Sequence, residues 1–371
     1  TTAALGACVL VSAAHFASLF LGLELLGVSL YALLGYTRAR PRALEAAVKY
    51  LVLSAAASAF LLFGLALLYA ETGTMELARI GTIIRIQERM PILLLAGGGF
   101  LLAGMGFKLG VAPFHLWVPD VYQGAPAPIT AFIATASKAA VLALLLRLAS
   151  STDLLEQQGF RTLVAVAAGL SMLLGNLLAL QQRDVKRILA YSSIAHLGYA
   201  LIAFLAAGRH AAEAVTLYLA AYTVMSLGAF TVVTMLSDRE RDGDEITLYA
   251  GLFWRRPWLA AAMAVLLLSL AGIPMTIGFI GKFYVITAGV AAERWGLLLL
   301  LVAGSVIGLF YYLRVVAAMA GEVPQASRLP WTIEPSPSYW IAGCVLALMT
   351  GATIWAGLYP EPVISLLRAL L

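Results

Sequence analysis

The chain has 371 residues, 62% of them hydrophobic and 12% charged, with a mean hydropathy of +0.93. Soluble domains carry roughly a quarter charged residues, so this composition excludes an ordinary soluble fold and places the chain in lipid. The net charge of +5 carries no nucleic-acid signal, because the basic residues are scattered through loops and helix ends without a basic run.

A helix crosses a bilayer with about 20 apolar residues. On that measure the sequence predicts a partial span at 1–13, then spans at 14–36, 46–70, 91–112, 126–149, 161–182, 186–206, 211–236, 253–290, 296–319 and 338–359. The opening TTAALGACVL has no Met and no charged region, so it reads as a start inside a hydrophobic segment with N-terminal helices missing, and not as a signal peptide. The stretch 74–89 (TMELARIGTIIRIQER) is amphipathic and is expected on the surface. The span 91–112 runs into Pro113 and FHLWVPD, which predicts an interruption. The segment 253–290 is too long for one ordinary crossing and contains AGIPMTIG, so Gly272, Pro274 and Gly278 are expected to break it. Discontinuous backbone at membrane depth is tolerated only where protein or a water-filled cavity surrounds it. Two such breaks at corresponding points of two halves point to a transport site.

Lys and Arg in short loops set orientation. Alternate loops hold Arg38, Arg40, Arg42, Arg183, Lys186, Arg187, Arg239, Arg241, Arg255, Arg256, Arg314 and Arg328, 12 basic residues in all. The opposite side holds eight: Arg79, Arg85, Arg89, Arg147, Arg161, Arg209, Arg294 and Arg368. The first set is therefore expected in the cytoplasm and the C-terminus in the periplasm.

The other four basic residues, Lys49, Lys108, Lys138 and Lys282, lie inside or at the edge of apolar spans, and Glu24 lies ten residues into the span 14–36. Ionisable groups at that depth are costly and mark proton or ion paths. A guanidinium keeps its proton under accessible conditions, whereas a buried amine can exchange one. Each has a plainer reading. Lys49, four residues after Glu45, can snorkel to the interface. Lys108 and Lys282, beside the breaks, can satisfy orphan carbonyls at a helix C-terminus. Lys138, mid-span in TAFIATASKAAVLALL, has no interfacial escape. His115 would share a face with Lys108 only if the helix continued past Pro113, and His196 in YSSIAHLGY is either a proton relay or a satisfied core residue. Cys8 and Cys344 lie far apart in apolar segments, and no His, Cys or carboxylate set has metal-ligand spacing, so neither a disulfide nor a metal site is expected. GGGF at 97–100 reads as close helix packing. No Gly-rich loop follows a strand and no Cys cluster is present, so no cofactor is expected in this chain.

At these residues the chain resembles a known family. GFKLGVAPFHLWVPDVYQGAPAPITAFIATASKAA is similar to the central signature of the antiporter-like membrane subunits of NADH:quinone oxidoreductase (complex I), and its QGAPAPITAFIATASK form resembles the subunit N family. KYLVLSAAASAFLLFG, VKRILAYSSIAHLGY, GLFWRRP and LSLAGIPMTIGFIGKFYV extend the likeness over essentially the whole chain. The resemblance implies an all-α polytopic fold with two inverted five-helix repeats, here roughly 1–149 and 161–319, followed by a C-terminal transmembrane helix at 338–371. By motif, Glu24 matches the family's fifth-helix carboxylate, Lys49 its sixth-helix lysine, Lys108 the lysine of the broken seventh helix, Lys138 the eighth-helix lysine and Lys282 the lysine of the broken twelfth helix. It further implies proton translocation in the bacterial inner membrane beside neighbouring membrane subunits, driven by electron transfer from NADH to quinone in a distant peripheral arm. The proton order it implies is entry toward Lys138, exchange with Lys108 gated by pairing to Glu24, and exit by Lys282. The rival readings are a subunit of a multi-subunit Na⁺/H⁺ antiporter, a membrane-bound hydrogenase subunit, and a structural spacer that pumps nothing.

Overall fold

The computed structural model of the chain describes residues 1–37, 40–86, 91–152, 154–237, 242–322 and 337–370, leaving aside the side chains at 209, 337 and 338. Arg38, Arg89, Arg239, Arg241 and Arg328 thus lie outside the described residues. Helices follow one another in the order Thr2–Ser12 (α1), Phe16–Leu34 (α2), Pro41–Thr72 (α3), Leu77–Arg85 (α4), Ile92–Leu109 (α5), Trp117–Gly124 (α6) and Ala127–Phe132 (α7). A π-helical turn, Ile133–Ser137, joins α7 without a break to Lys138–Thr152 (α8). Then come Gln158–Leu180 (α9), Val185–Phe204 (α10), Gly208–Leu236 (α11), Leu252–Arg255 (α12), Pro257–Ala271 (α13), Ile277–Ala291 (α14), Trp295–Ala320 (α15), Pro337–Leu358 (α16) and Glu361–Leu370 (α17). Nine helices among the described residues are long and apolar enough to cross a membrane.

Local chemistry sets the boundaries. His15 Nδ1 accepts from the Ala17 amide at 3.1 Å at the start of α2, and Asp184 accepts from the Arg187 amide at 2.9 Å at the start of α10, each satisfying a donor that the first helical turn leaves orphaned. Pro41 and Pro257 open α3 and α13 at the position where a missing N–H costs nothing. Both predicted interruptions exist, and both begin at a left-handed glycine. Gly110 (φ 72°) ends α5 and Gly272 (φ 90°) ends α13, a conformation in which a Cβ is costly. The first break therefore starts three residues before Pro113. Gly278 does not break the second: it lies inside α14, where its amide meets the Ser269 hydroxyl of α13 at 3.2 Å. The segment 253–290 resolves into α12, α13 and α14, and the amphipathic stretch contributes α4 only over Leu77–Arg85. The last crossing ends at Leu358, and the separate helix α17 follows it.

The helices sort by environment. Leu51, Val52, Phe60 and Phe63 of α3, and Leu299, Val302, Val306 and Phe310 of α15, face outward, as lipid-facing side chains do. Nearly every residue of α10 is buried, which makes it the central post of the bundle.

One pattern occurs twice. A short or full crossing, a crossing, a long crossing, a short lateral helix, an interrupted crossing and a last crossing run from α1 to α8 and again from α9 to α15. In each copy a single antiparallel bridge ties the N-cap of the second crossing to the N-cap of the lateral segment: His15 to Glu76, and Asp184 to Glu245.

Ion pairs collect loops onto two faces. Arg40 and Lys186 both reach Asp242, at 2.6 and 2.8 Å, and Arg42 reaches Asp244 at 3.8 Å. Arg314 donates to the Leu180 and Gln182 carbonyls on the same face. On the other face Arg147 donates to the Val11 carbonyl at 2.8 Å, and Arg368 of α17 pairs with Glu213 of α11 at 3.3 Å.

Candidate functional site

Three lysine amines are buried in the bundle interior. Lys108, Lys138 and Lys282 are 6%, 1% and 7% exposed, and each ammonium is held by a serine hydroxyl on another helix. Lys108, in the last turn of α5, donates to Ser54 of α3 at 2.7 Å, and the Tyr31 hydroxyl of α2 donates to the same oxygen at 2.9 Å. One turn along α3, Ser58 donates to the Glu24 carboxylate at 2.5 Å. Glu24 and Lys108 therefore do not form the direct ion pair expected from the sequence. Two serines on α3 stand between them, and Gly27, one turn beyond Glu24, makes room for the amine. A Cβ at Gly27 would lie 3.3 Å from Lys108 Nζ.

Lys138 opens α8 directly after the π turn. A π turn inserts an extra residue and redirects the side chains that follow, and such turns concentrate at functional sites. Its ammonium donates to Ser193 of α10 at 2.7 Å, lies 5.4 Å from the Tyr122 ring centre, and faces the broken end of α5, where a Cβ on Gly110 would stand 3.5 Å away. The glycine that ends α5 thus lies between Lys108, two residues earlier, and Lys138.

From α10 the polar groups continue. Ser192 accepts from the Tyr312 hydroxyl at 2.7 Å; that hydroxyl is 3.3 Å from His196 Nε2, and His196 Nδ1 is 2.6 Å from the Tyr218 hydroxyl. His196 is 2% exposed and fully partnered. Lys282 of α14 donates to the Ala271 carbonyl, the last of α13, at 2.7 Å and to Ser305 of α15 at 3.1 Å, with the Tyr199 ring centre 5.4 Å away. Asn176 donates to the Tyr199 hydroxyl at 2.9 Å and accepts from Tyr311 at 3.2 Å. Serine and tyrosine hydroxyls both donate and accept, so each of these clusters surrounds its titratable side chain with groups that can take or give a hydrogen bond.

Two expected members stand apart. Lys49 is half-exposed and paired with Glu45 and Asp120, each at 2.8 Å, so the interfacial alternative describes its position. His115 lies in the turn between α5 and α6 and does not share a face with Lys108; it is buried, and its Nδ1 has no hydrogen-bond partner. Lys186 departs from its expected place in a cytoplasmic loop. It is wholly buried, donating to the Gln123 and Ala125 carbonyls at 2.8 and 2.6 Å and pairing with Asp242. Sequence reasoning also passed over Ser54, Ser58, Ser193, Tyr122, Tyr218 and Tyr312. The available signals were the Ser54–Ser58 spacing of four residues, which puts two hydroxyls on one helical face, and the hydroxyls around His196 in YSSIAHLGY, Ser193 among them. Among the described residues no cluster of His, Cys or carboxylates has the arrangement of a metal site.

Interrupted helices around buried, serine-bound lysines define an antiporter-like membrane subunit. Residues 13–308 match the family described as NADH:quinone oxidoreductase/Mrp antiporter, transmembrane. The chain is 50% identical over 368 residues to NADH-quinone oxidoreductase subunit N of Methylococcus capsulatus, covering 98% of this chain and 73% of the relative. Its fold is similar to a chain of respiratory complex I from Thermus thermophilus with bound aureothin (TM-score 0.83, 37% identity, 98% of this chain and 78% of that one). It is also similar to a chain of an archaeal membrane-bound sulfane sulfur reductase (TM-score 0.83, 26% identity, 98% and 73% covered). A chain of the Mrp complex from a Dietzia species shares the fold alone (TM-score 0.86, 20% identity, 99% and 75% covered). The chain belongs to the NADH:quinone oxidoreductase/Mrp antiporter membrane family, among the N subunits of NADH-quinone oxidoreductases. It is a multi-pass inner-membrane protein.

Proposed function

We propose that this chain translocates protons as the N subunit of an inner-membrane NADH:quinone oxidoreductase, beside neighbouring antiporter-like and small membrane subunits. Electron transfer from NADH to quinone takes place in other subunits, and the chain itself carries no cofactor, redox chemistry or metal. As part of that complex it belongs to the proton-translocating translocases. The working units are the two repeats at 1–149 and 161–319, with the crossing at 337–358 packed outside them.

The observation that carries this reading is the triplet Lys108, Lys138 and Lys282, buried on three separate helices, each with its ammonium on a serine hydroxyl. Lys138 receives the proton, Lys108 exchanges it under the influence of Glu24 through Ser58 and Ser54, and Lys282 releases it, with His196 and its tyrosines, on the helix that carries Lys138's partner Ser193, on the way to Lys282. Lys49 and His115 take no direct part. A spacer that only sealed a complex would have no use for ionisable groups held this way, since each is costly in the membrane interior. The Na⁺/H⁺ antiporter alternative shares the family model and a fold at 20% identity, against 50% identity to a subunit N.

The test is proton uptake and NADH oxidation in inverted membrane vesicles at matched complex content. Lys108→Met leaves the complex assembled and lowers both several-fold. Lys108→Arg does not restore them, because a guanidinium does not release its proton. Glu24→Gln impairs turnover, and its combination with Lys108→Met is less than additive, as expected for groups acting on one step. Pumping at the wild-type rate by Lys108→Arg, or assembly loss that accounts for every deficit, overturns the assignment.

A further inference from the structure

A second site lies on the outside of the bundle, away from the lysines. A groove of about 430 Å³ runs between α9 and α15. Its floor is Ala165, Gly169 and Leu173, spaced four residues apart along one face of α9, and its far wall is Leu297 and Leu300 of α15. At its head stand Arg161, in the first turn of α9, and Arg294, the residue that precedes α15. From 161 to 173 the groove descends about 18 Å at the helical rise of 1.5 Å per residue, close to half the roughly 30 Å hydrocarbon core.

The two arginines are what make this groove specific. Arg161 spends one nitrogen on the Gln158 side chain at 2.7 Å, and Nε of both guanidiniums is buried without an acceptor. Among the described residues no carboxylate lies within ion-pair distance of either one; Glu293, next to Arg294, is exposed and makes no ion pair. Guanidinium donors match phosphate oxygens in a fork geometry. Trp295, 59% exposed beside Arg294, is the kind of aromatic that marks the headgroup level. The groove has about the length of one leaflet, an apolar floor, and at the helix-start end two guanidiniums whose Nε atoms have no acceptor.

We propose that the α9–α15 groove binds one anionic glycerophospholipid, its phosphodiester held by Arg161 and Arg294 and an acyl chain laid along Ala165, Gly169 and Leu173. The bound lipid fills the outer seam between the first and last crossings of the second repeat, beside the place where Leu297 and Leu300 of α15 close onto Gly169 of α9. The occupant is a lipid because the groove is shallow, open outward along about one leaflet's length, apolar on its floor and charged at one end only.

The test uses the intact complex in proteoliposomes containing a trace of phosphatidylglycerol that carries a photoactivatable group in mid-chain, or phosphatidylcholine with the same chain. After illumination, adducts are mapped by peptide mass spectrometry. The expected result is that phosphatidylglycerol labels peptides covering 161–173 and 294–300 at least three-fold more than phosphatidylcholine does, and that unlabelled phosphatidylglycerol competes. Arg294→Gln reduces this labelling to the phosphatidylcholine level, whereas Arg294→Lys, which keeps the charge and guards against a folding defect, retains most of it. Labelling on the lipid-facing Phe60–Phe63 face of α3 serves as the internal reference and stays constant. Equal labelling by both probes means an unselective lipid shell and overturns the proposal. So does labelling of 161–173 that ignores Arg294→Gln, or its absence because a neighbouring subunit covers the groove.

Discussion

Ser54 accepts two hydrogen bonds, from the Lys108 ammonium and the Tyr31 hydroxyl, inside an apolar bundle. Removing that oxygen leaves a buried charged donor without its acceptor, which costs more than the roughly 1–3 kcal/mol of a neutral group. Ser54→Ala is therefore expected to lower the thermal midpoint of the detergent-solubilised complex and to slow proton uptake. Tyr31→Phe, which removes only the second donor and leaves the ammonium its acceptor, is expected to do clearly less of both. Equal effects of the two changes would place the cost in packing instead of in the ammonium's hydrogen bond. The lysines themselves were legible in the sequence because charge in a 20-residue apolar run has few innocent explanations. The serines were not: a lone hydroxyl in such a run more often bonds its own helix backbone, as Ser171 does to the Ala167 carbonyl at 2.6 Å. Lys49 and Lys186 are the instructive pair. Each lies within about two turns of a helix start, and the sequence put Lys49 inside or at the edge of an apolar span, with the interface as its plainer place, and Lys186 in a loop, whereas Lys186 is wholly buried and Lys49 is half-exposed. What separates them is the neighbouring element. The end of α6 covers Lys186 with two carbonyls, and nothing in the local sequence of α10 announces that.

Lys186 acts at the scale of elements. It joins the end of α6 to the start of α10 and, through Asp242, to the segment leading toward α12. Arg187 and Asp120 add a second tie between α10 and α6 at 3.0 Å, and Gln123 a third by donating to Asp184 at 2.7 Å. Breaking a buried ion pair by removing one partner costs about 3–5 kcal/mol. Lys186→Met is accordingly expected to reduce the amount of assembled complex, while the complex that does assemble pumps at near the wild-type rate per NADH oxidised. Normal assembly with uncoupled turnover would instead place Lys186 on the proton path. Beside it, the Asp184 carboxyl is held up at about 6 against an ordinary 3.8, chiefly by burial, with the Asp244 carboxylate adding to the rise. A carboxyl whose folded-state pKa is raised favours the fold when protonated. That contribution is complete below about 3.8 and is lost as pH climbs through about 6. Asp184→Asn keeps a good helix cap and removes the titration. The stability of this variant relative to wild type, followed by thermal melts, should therefore rise between pH 5 and 7, and a difference that stays flat across that window contradicts the assignment. The spans themselves were readable within a few residues, since membrane burial and helical length leave few choices. The π turn at Ile133–Ser137 was not, because IATAS carries no Pro or Gly to announce it. The second break was read from Gly272 and Pro274, whereas the first was read from Pro113 and so set three residues past the Gly110 that begins it.

At the scale of the whole molecule, the ion pairs settle which loops share a face without saying which side of the membrane that face meets. Arg40, Arg42, Lys186, Asp242 and Asp244 meet on one, and Glu213 with Arg368 lies on the other. This grouping agrees with the alternation of loops read from the sequence, and the Lys/Arg excess then predicts that the first face meets the cytoplasm. Thr247 and Gly159 are suited to test it. Thr247 is exposed on the first face, in the lateral segment before α12; Gly159 is exposed on the second, at the start of α9, with open space where its Cβ would be. Cys8 and Cys344 are exposed and have to be replaced by serine first. In intact cells a membrane-impermeant maleimide is expected to label Gly159→Cys and to leave Thr247→Cys unlabelled until the cells are opened. The opposite pattern inverts the topology, and with it the side from which Lys138 would be reached. Labelling of both sites in intact cells would show that the two faces are not on opposite sides of the membrane at all, which would break the correspondence between the two repeats.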